Sequence, residues 1–410
     1  MEQFWTPVEG NVTAPQGFRA AATAAGLKPS GGLDLALILS EVDAIAAGAF
    51  TTNQVQAACV TYDRAIVESG TPVRAILCNA GQANACTGRE GEQDNQAVAA
   101  LVAQACAIPA GQVLTASTGV IGRRFDLSKF QQAIPMLASQ ARSDDGKGAA
   151  AALAARAILT TDLVEKAIAL EADFDGKPVR VGGIAKGSGM IHPNLATMLA
   201  FMTCDAAVEP DLWRAMVRRA ADVSFNQVTV DGDTSTNDML LALANGRSHI
   251  EPIDANSPHV ARLQAMLDEV CIVLAKAIAR DGEGATKLLE VQVRGVANAA
   301  AARQIARTIV GSPLVKSAAF GNDPNWGRIA AAAGRSGVTF DAGQMDIWLG
   351  KFHLMQGGMP LPFDRAAASS YLKGDPVVVT VDLHQGEASG MAWGCDLSYD
   401  YVRINAEYTT

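Results

Sequence analysis

Apolar runs of strand length alternate with helical stretches along most of this 410-residue chain, and that alternation commits it to mixed α/β layers. Residues 73–78 and 113–116 read as buried strands, each ending in small polar residues that open a turn. Residues 288–296 and 377–383 are further strands, the latter followed by a segment at 389–397. Helical spacing marks 93–108, 149–159, 211–223, 258–280 and 299–310, and Pro210 gives the third of these a natural start. Residues 127–134 also read as a helix, which Pro135 should end or kink. No repeat of 20–50 residues is present. The length exceeds one ordinary domain, so either two domains or one large layered core is expected. A boundary near 282–287 would leave a smaller C-terminal α+β unit beyond it.

Composition removes several function classes. An apolar share of 49% with 18% charged residues belongs to a compact fold and not to disorder. The net charge of −9 argues against a broad nucleic-acid or anionic-membrane surface, while leaving room for a local basic pocket for a small acid. No stretch approaches the roughly 18 uninterrupted apolar residues of a membrane helix. The segment from Met1 to Pro7 lacks the basic and apolar regions of a secretion signal, and the first arginine is Arg19. The seven cysteines include no Cys-x-x-Cys pair, and the five histidines show no His-Glu-x-x-His spacing. Free thiols in a reducing cytoplasm are therefore expected, with no metal site.

Three glycine-rich loops invite misreading. In Gly182-Gly183-Ile184-Ala185-Lys186-Gly187-Ser188-Gly189 the lysine precedes the glycine that should precede it in a phosphate loop, so nucleotide binding is discounted. Asp231-Gly232-Asp233-Thr234-Ser235-Thr236-Asn237-Asp238 begins like a calcium loop but has Ala242 where a glutamate is needed; it reads as a tight polar turn. The run from Gly321 to Arg328 reads as irregular backbone.

The chemistry concentrates at residues 186–205, KGSGMIHPNLATMLAFMTCD. An apolar strand-like run begins directly after Thr197, behind a loop rich in breakers at Gly189, Pro193 and Asn194. If that loop strains the Ala196–Thr197 peptide, the Thr197 hydroxyl can attack the Ala196 carbonyl. An N-to-O acyl shift and hydrolysis would then leave Thr197 as a new N-terminus. A freed α-amine, with a reference pKa of about 7.7–8.0, is the base that a threonine hydroxyl otherwise lacks. On the dipeptide alone, an ordinary buried strand start is the better explanation of Ala-Thr.

The surrounding residues resemble the ornithine acetyltransferase family, the self-cleaving glutamate N-acetyltransferases of arginine biosynthesis. The resemblance runs through Pro15-Gln16-Gly17-Phe18-Arg19-Ala20, Gly48-Ala49-Phe50-Thr51-Thr52-Asn53, Ala83-Asn84-Ala85-Cys86-Thr87-Gly88 and Ser117-Thr118-Gly119-Val120-Ile121-Gly122. It continues from Gly183 to Thr197, from Val230 to Asp238, through Asp281-Gly282-Glu283-Gly284-Ala285-Thr286-Lys287, from Gly321 to Arg328, and to the close Asn405-Ala406-Glu407-Tyr408-Thr409-Thr410. At Asn79-Ala80-Gly81-Gln82 the chain departs from the family, which more often shows a serine and an asparagine there.

By this resemblance the fold is a layered αββα self-processing core with a smaller C-terminal α+β domain. Residues 1–196 would form an α chain, 197–286 the remainder of the core at the head of a β chain, and 287–410 the C-terminal domain. Cleavage falls between Ala196 and Thr197, and the two chains assemble as α2β2. Thr197 is the implied nucleophile and acetyl acceptor, with Thr118 and Gly119 as an oxyanion hole. Thr160 (or its neighbour Thr161), Lys186, Glu283, Asn405 and Thr410 match substrate-binding positions, Lys186 for a carboxylate and Glu283 for an amine. His192 has no implied base role and is read as a loop-packing residue. The implied reaction is ping-pong transfer of acetyl from N-acetylornithine to glutamate, with no cofactor, and with acetyl-CoA as a further donor in some members. Two rivals are a self-cleaving aminopeptidase or amidase of the related fold, and a non-enzymatic carboxylate-binding protein.

Overall fold

A computed structural model of the chain describes residues 3–146, 148–192 and 198–407. Ten strands lie in the first unit: β1 (Trp5–Pro7), β2 (Phe18–Thr23), β3 (Leu35–Phe50), β4 (Val73–Gln82), β5 (Val113–Val120), β6 (Lys166–Phe174), β7 (Lys177–Lys186), β8 (Leu199–Cys204), β9 (Val228–Thr229) and β10 (Met239–Ala244). Six helices accompany them: α1 (Ala58–Ser69), α2 (Gly88–Cys106), α3 (Leu127–Ser143), α4 (Ala149–Ala157), α5 (Pro210–Val223) and α6 (Val260–Arg280).

The long strand β3 organises this unit by belonging to two layers. Its first half pairs antiparallel with β2 and β4, and its second half with β10. The register breaks between Leu39 and Ala44, around the exposed residues Glu41 and Asp43, where the strand passes from one layer to the other. One layer is β1-β6-β7-β8-β10 and the end of β3; the other is β2, the start of β3, β4 and β5. Side-chain alternation then builds four layers. Ile38 and Ile76 of one sheet meet Ile184, Phe201, Leu241 and Leu243 of the other in a shared interior. On the outer faces, Val181, Met202 and Ala242 pack with Trp213 of α5 and Val270 of α6, while Leu37 and Leu77 pack with Val98 of α2 and Phe130 of α3. The order helix, sheet, sheet, helix is the expected αββα core.

Helix α3 corrects the expectation at Pro135. It runs through the proline to Ser143, because Pro135 points to solvent while Leu137, Ala138 and Ala141 continue the buried stripe. Burial of those three side chains outweighs the roughly 3 kcal/mol that an interior proline costs a helix.

A second sheet begins at β11 (Leu288–Val296) and adds β12 (Asp346–Leu349), β13 (Phe352–Gln356), β14 (Met359–Pro360), β15 (Val377–Asp382) and β16 (Ala388–Cys395). Its order is β14-β13-β12-β15-β11-β16-β9, so the last position is filled by two residues of the first unit. Helices α7 (Ala299–Val310), α8 (Pro313–Phe320) and α9 (Trp326–Gly334) cover one face around Val291, Ile305, Ile309 and Val379. A short helix, α10 (Arg365–Tyr371), precedes β15, and α11 (Tyr399–Glu407) returns the chain to the first unit. There Ser398 Oγ donates to the Gly284 carbonyl at 2.6 Å.

Candidate active site

Strand ends from both layers converge on one cavity. It is lined by Thr118, Gly119, Thr160, Thr161, Lys186, Glu283 and Asn405, together with Ala83, Ile121, Gly189, Met190 and residues 235–237. Ser117-Thr118-Gly119 closes β5, where pairing with β4 becomes irregular at Gly81 and Gln82. Gly119 sits at φ 126°, and a Cβ there would stand 2.3 Å from the Gly81 carbonyl carbon. Only glycine permits this close crossing of the two strands, which brings the backbone of Thr118 and Gly119 to the cavity wall.

Lys186 ends β7 and projects its ammonium among hydroxyls and a carboxylate. Its Nζ donates to Thr160 Oγ1 at 2.7 Å and to Thr118 Oγ1 at 3.4 Å, and stands 3.8 Å from Asp162 Oδ2. The side chain of Asp162 is fully buried and acts as a hub. It accepts from Lys166 Nζ at 2.8 Å, from the Thr160 N–H at 3.1 Å and from the Gly187 N–H at 2.6 Å. Lys166, itself buried, also donates to Asp281 Oδ2 at 2.6 Å. Burial alone would push the Asp162 carboxyl up, but Lys186, Lys166 and the Gly187 amide hold it at about 2. The network fixes one carboxylate as an anion and turns Lys186 toward the cavity.

Glu283 approaches from the link between α6 and β11. Its N–H donates to the Ser188 carbonyl at 2.9 Å, and Asn405 Nδ2 of α11 donates to its Oε2 at 2.9 Å. A Cβ on Gly189 would stand 2.5 Å from this carboxylate, so the glycine makes room for it. One wall therefore carries a cation and the other an anion, with hydroxyl and amide donors between them. Such an arrangement suits a zwitterionic amino acid and an oxygen that gains negative charge.

A family model, the ArgJ family, matches residues 19–410. The chain belongs to that family. It is similar to the arginine biosynthesis bifunctional protein ArgJ of a Synechococcus species, 59% identical with each chain covered completely. The corresponding protein of a Synechocystis species is 58% identical over 99% of each chain. Among solved structures, the arginine biosynthesis bifunctional protein of Bacillus halodurans is 46% identical, covering 50% of this chain and 97% of that one, with a TM-score of 0.49. This ArgJ-family chain is thus an acyltransferase of arginine biosynthesis, covering the ornithine acetyltransferase and glutamate N-acetyltransferase activities.

Of the residues expected in the site, six line this one cavity: Thr118, Gly119, Thr160, Lys186, Glu283 and Asn405. Thr161 lines it too, while Thr160 is the one bonded to Lys186. Ala196, Thr197 and Thr410 lie outside the described residues. Met198, the next described residue, has its carbonyl accepting from the Met239 N–H at 3.1 Å, and Leu199 pairs with Lys186. His192 Nδ1 stands 3.1 Å from Thr229 Oγ1, and burial, with the nearby Arg307 charge, lowers its pKa.

The loop read as a tight polar turn is a correction. Ser235, Thr236, Asn237 and Asp238 are buried, and the first three line the cavity. Asn237 Nδ2 donates to the Ala83 carbonyl at 2.7 Å and to the Ser117 carbonyl at 2.8 Å, pinning the peptide ahead of Thr118. Upstream, Asp231 accepts from the Met190 and Ile191 N–H groups at 2.6 and 2.9 Å. Polar composition resembles a solvated turn; the buried carbonyls of distant strands supply the difference. Among the described residues no group of three or more His, Cys, Asp or Glu side chains is placed to hold a metal, and no helix is long and apolar enough to cross a membrane.

Proposed function

We propose that acetyl transfer proceeds by a ping-pong route through an ester on Thr197, after self-cleavage of the Ala196–Thr197 bond. In the cleavage the Thr197 oxygen attacks the Ala196 carbonyl, the C–N bond breaks, and water hydrolyses the resulting ester to free a threonine α-amine. That amine takes the proton from the Thr197 hydroxyl as its oxygen attacks the acetyl carbonyl of N-acetylornithine. The tetrahedral oxyanion is stabilised by the Thr118 hydroxyl and the Gly119 N–H. Collapse breaks the amide, the leaving ornithine amine receives the proton, and an acetyl ester remains. The neutral amine of glutamate then attacks that ester, and the Thr197 oxygen recovers its proton.

In this scheme Lys186 meets the substrate carboxylate and Glu283 a substrate amine, with Thr160, Asn405 and Thr410 completing the binding surface. Acetyl-CoA is a second donor to the same hydroxyl, the cleaved chains assemble as α2β2, and the enzyme works in the cytoplasm without a cofactor. The observation that carries the proposal is the convergence of Thr118, Gly119, Lys186 and Glu283 on one cavity. They come from two strand ends, β5 and β7, and a link between helix and strand.

The test is to mix the purified protein with N-acetylornithine alone and weigh the denatured fragments. The fragment beginning at Thr197 should gain one acetyl group, lose it on adding glutamate, and never gain it in Thr197→Ala. Release of acetate with no N-acetylglutamate would favour the amidase reading instead.

A further inference from the structure

A second cavity, of about 360 Å³, opens between His192 and α7, and its lining includes two arginines and no carboxylate. Arg307 and Arg335 line it with His192, Gln304 and Ser336. Arg303 lies one turn before Arg307 on the same helix face, where like charges repel. Arg307 is half-buried, and its Nη1 donates a long hydrogen bond of 3.5 Å to the Asn226 carbonyl. Burial and the charge of Arg303 both press its pKa down, and Asp222 offsets only part of that. Among the described residues, none of Arg303, Arg307 and Arg335 forms an ion pair within 4.0 Å.

The walls hold this arrangement in place. Gln304 Nε2 of α7 donates to the Ser336 carbonyl at 2.7 Å, which fixes Arg335 beside the helix carrying Arg307. Thr229 Oγ1 donates to the Ile191 carbonyl at 3.3 Å, so it accepts from the Nδ1–H of His192 at 3.1 Å. With that tautomer Nε2 is the unbonded ring nitrogen of a half-buried histidine at the cavity. Arginines close together, with hydroxyl and amide groups and no carboxylate in the cavity lining and with Asp222 and Asp233 only partly offsetting the charge, fit an oxyanion that would neutralise them.

We propose that this cavity is a binding site for a small phosphate- or carboxylate-bearing metabolite, held by Arg307 and Arg335, with His192 Nε2 becoming a third donor when the bound anion draws a proton onto the ring. The site is separate from the acyl-transfer cavity but shares one segment with it. Met190 lines the first cavity and His192 the second, and Asp231 and Thr229 tether the residues between. An anion bound here would cancel the field of Arg307 at His192, which Asp233 opposes from the loop after β9.

Calorimetric titration of the purified protein with inorganic phosphate and with citrate, at constant ionic strength, tests this without reference to activity. Saturable binding of either anion supports the site, phosphate ahead of citrate naming a phosphorylated ligand and the reverse a polycarboxylate. Arg307→Gln should weaken it by about tenfold or more, and the exposed Arg335→Gln by a smaller factor, the latter serving if the former does not fold. His192, followed by nuclear magnetic resonance, should titrate at higher pH with the anion bound. Non-saturable heats, equal in wild type and both arginine variants, or a His192 titration that ignores the anion, would overturn the proposal.

Discussion

In the first unit β8 is buried at every position from Leu199 to Cys204, whereas β15 of the C-terminal sheet alternates between buried and half-buried residues from Val377 to Thr380. Central strands of the double layer such as β8 and β10 have no solvent face, because a second sheet covers one side and helices the other. A polar side chain there must find a partner within the fold or line a cavity. Lys166, Asp162 and Lys186 do the first, and Thr118 and Lys186 also do the second. In the C-terminal sheet a charge can turn outward, as half-exposed Arg294 does while pairing with Asp382 at 2.6 Å. The same residue type therefore carries different information in the two units.

Breaking the buried network should have the largest effect on stability. Lys166→Met leaves Asp162 and Asp281 facing each other without their shared cation, and should cost about 3–5 kcal/mol in chemical denaturation. A loss near zero would mean that the first unit tolerates buried charge as easily as the second. At the cavity, Thr118→Val removes one donor from the proposed oxyanion hole. It should lower kcat by about 10²–10³-fold while the unfolding midpoint barely moves. A change in KM alone would assign Thr118 to ground-state binding.

Two buried carboxylates of the first unit sharpen the comparison through pH. Asp162, held at about 2 against an ordinary value near 3.9, stabilises the fold fully above that ordinary value and loses the contribution as pH falls toward 2. Asp205 behaves oppositely. Burial pushes it up to about 6, with the Arg180 and Gln16 N–H groups offsetting only part of the shift. Between about pH 4 and 6 the native state holds a proton that the unfolded chain has lost, so stability falls as pH rises through that window. Asp205→Asn should flatten that slope in unfolding midpoints measured across it. Arg294→Gln, on the C-terminal sheet, should change stability by no more than about 1 kcal/mol.

The contrast between the units also explains what could be read from the chain. Residues 288–296 and 299–310 were legible as strand and helix to the residue, because each has a clear covered face. The strand at 239–244 and the first half of that at 35–50 carried no such signal: there both faces are apolar, and period two disappears. At the site, Thr118, Lys186 and Glu283 stood inside recognisable motifs. Lys166 and Asp281 are 115 residues apart and become partners only through folding, so no local spacing announces them. Asn237 was hidden for a related reason, since its two carbonyl partners lie 120 and 154 residues away.

The central claim is that Thr197 becomes an N-terminal nucleophile, and the denatured mass of freshly purified protein, with N-terminal reading of each fragment, tests it most directly. The account predicts two pieces, residues 1–196 and 197–410, the second beginning Thr-Met-Leu-Ala. A single stable chain of 42.6 kDa that still transfers acetyl to glutamate would contradict it.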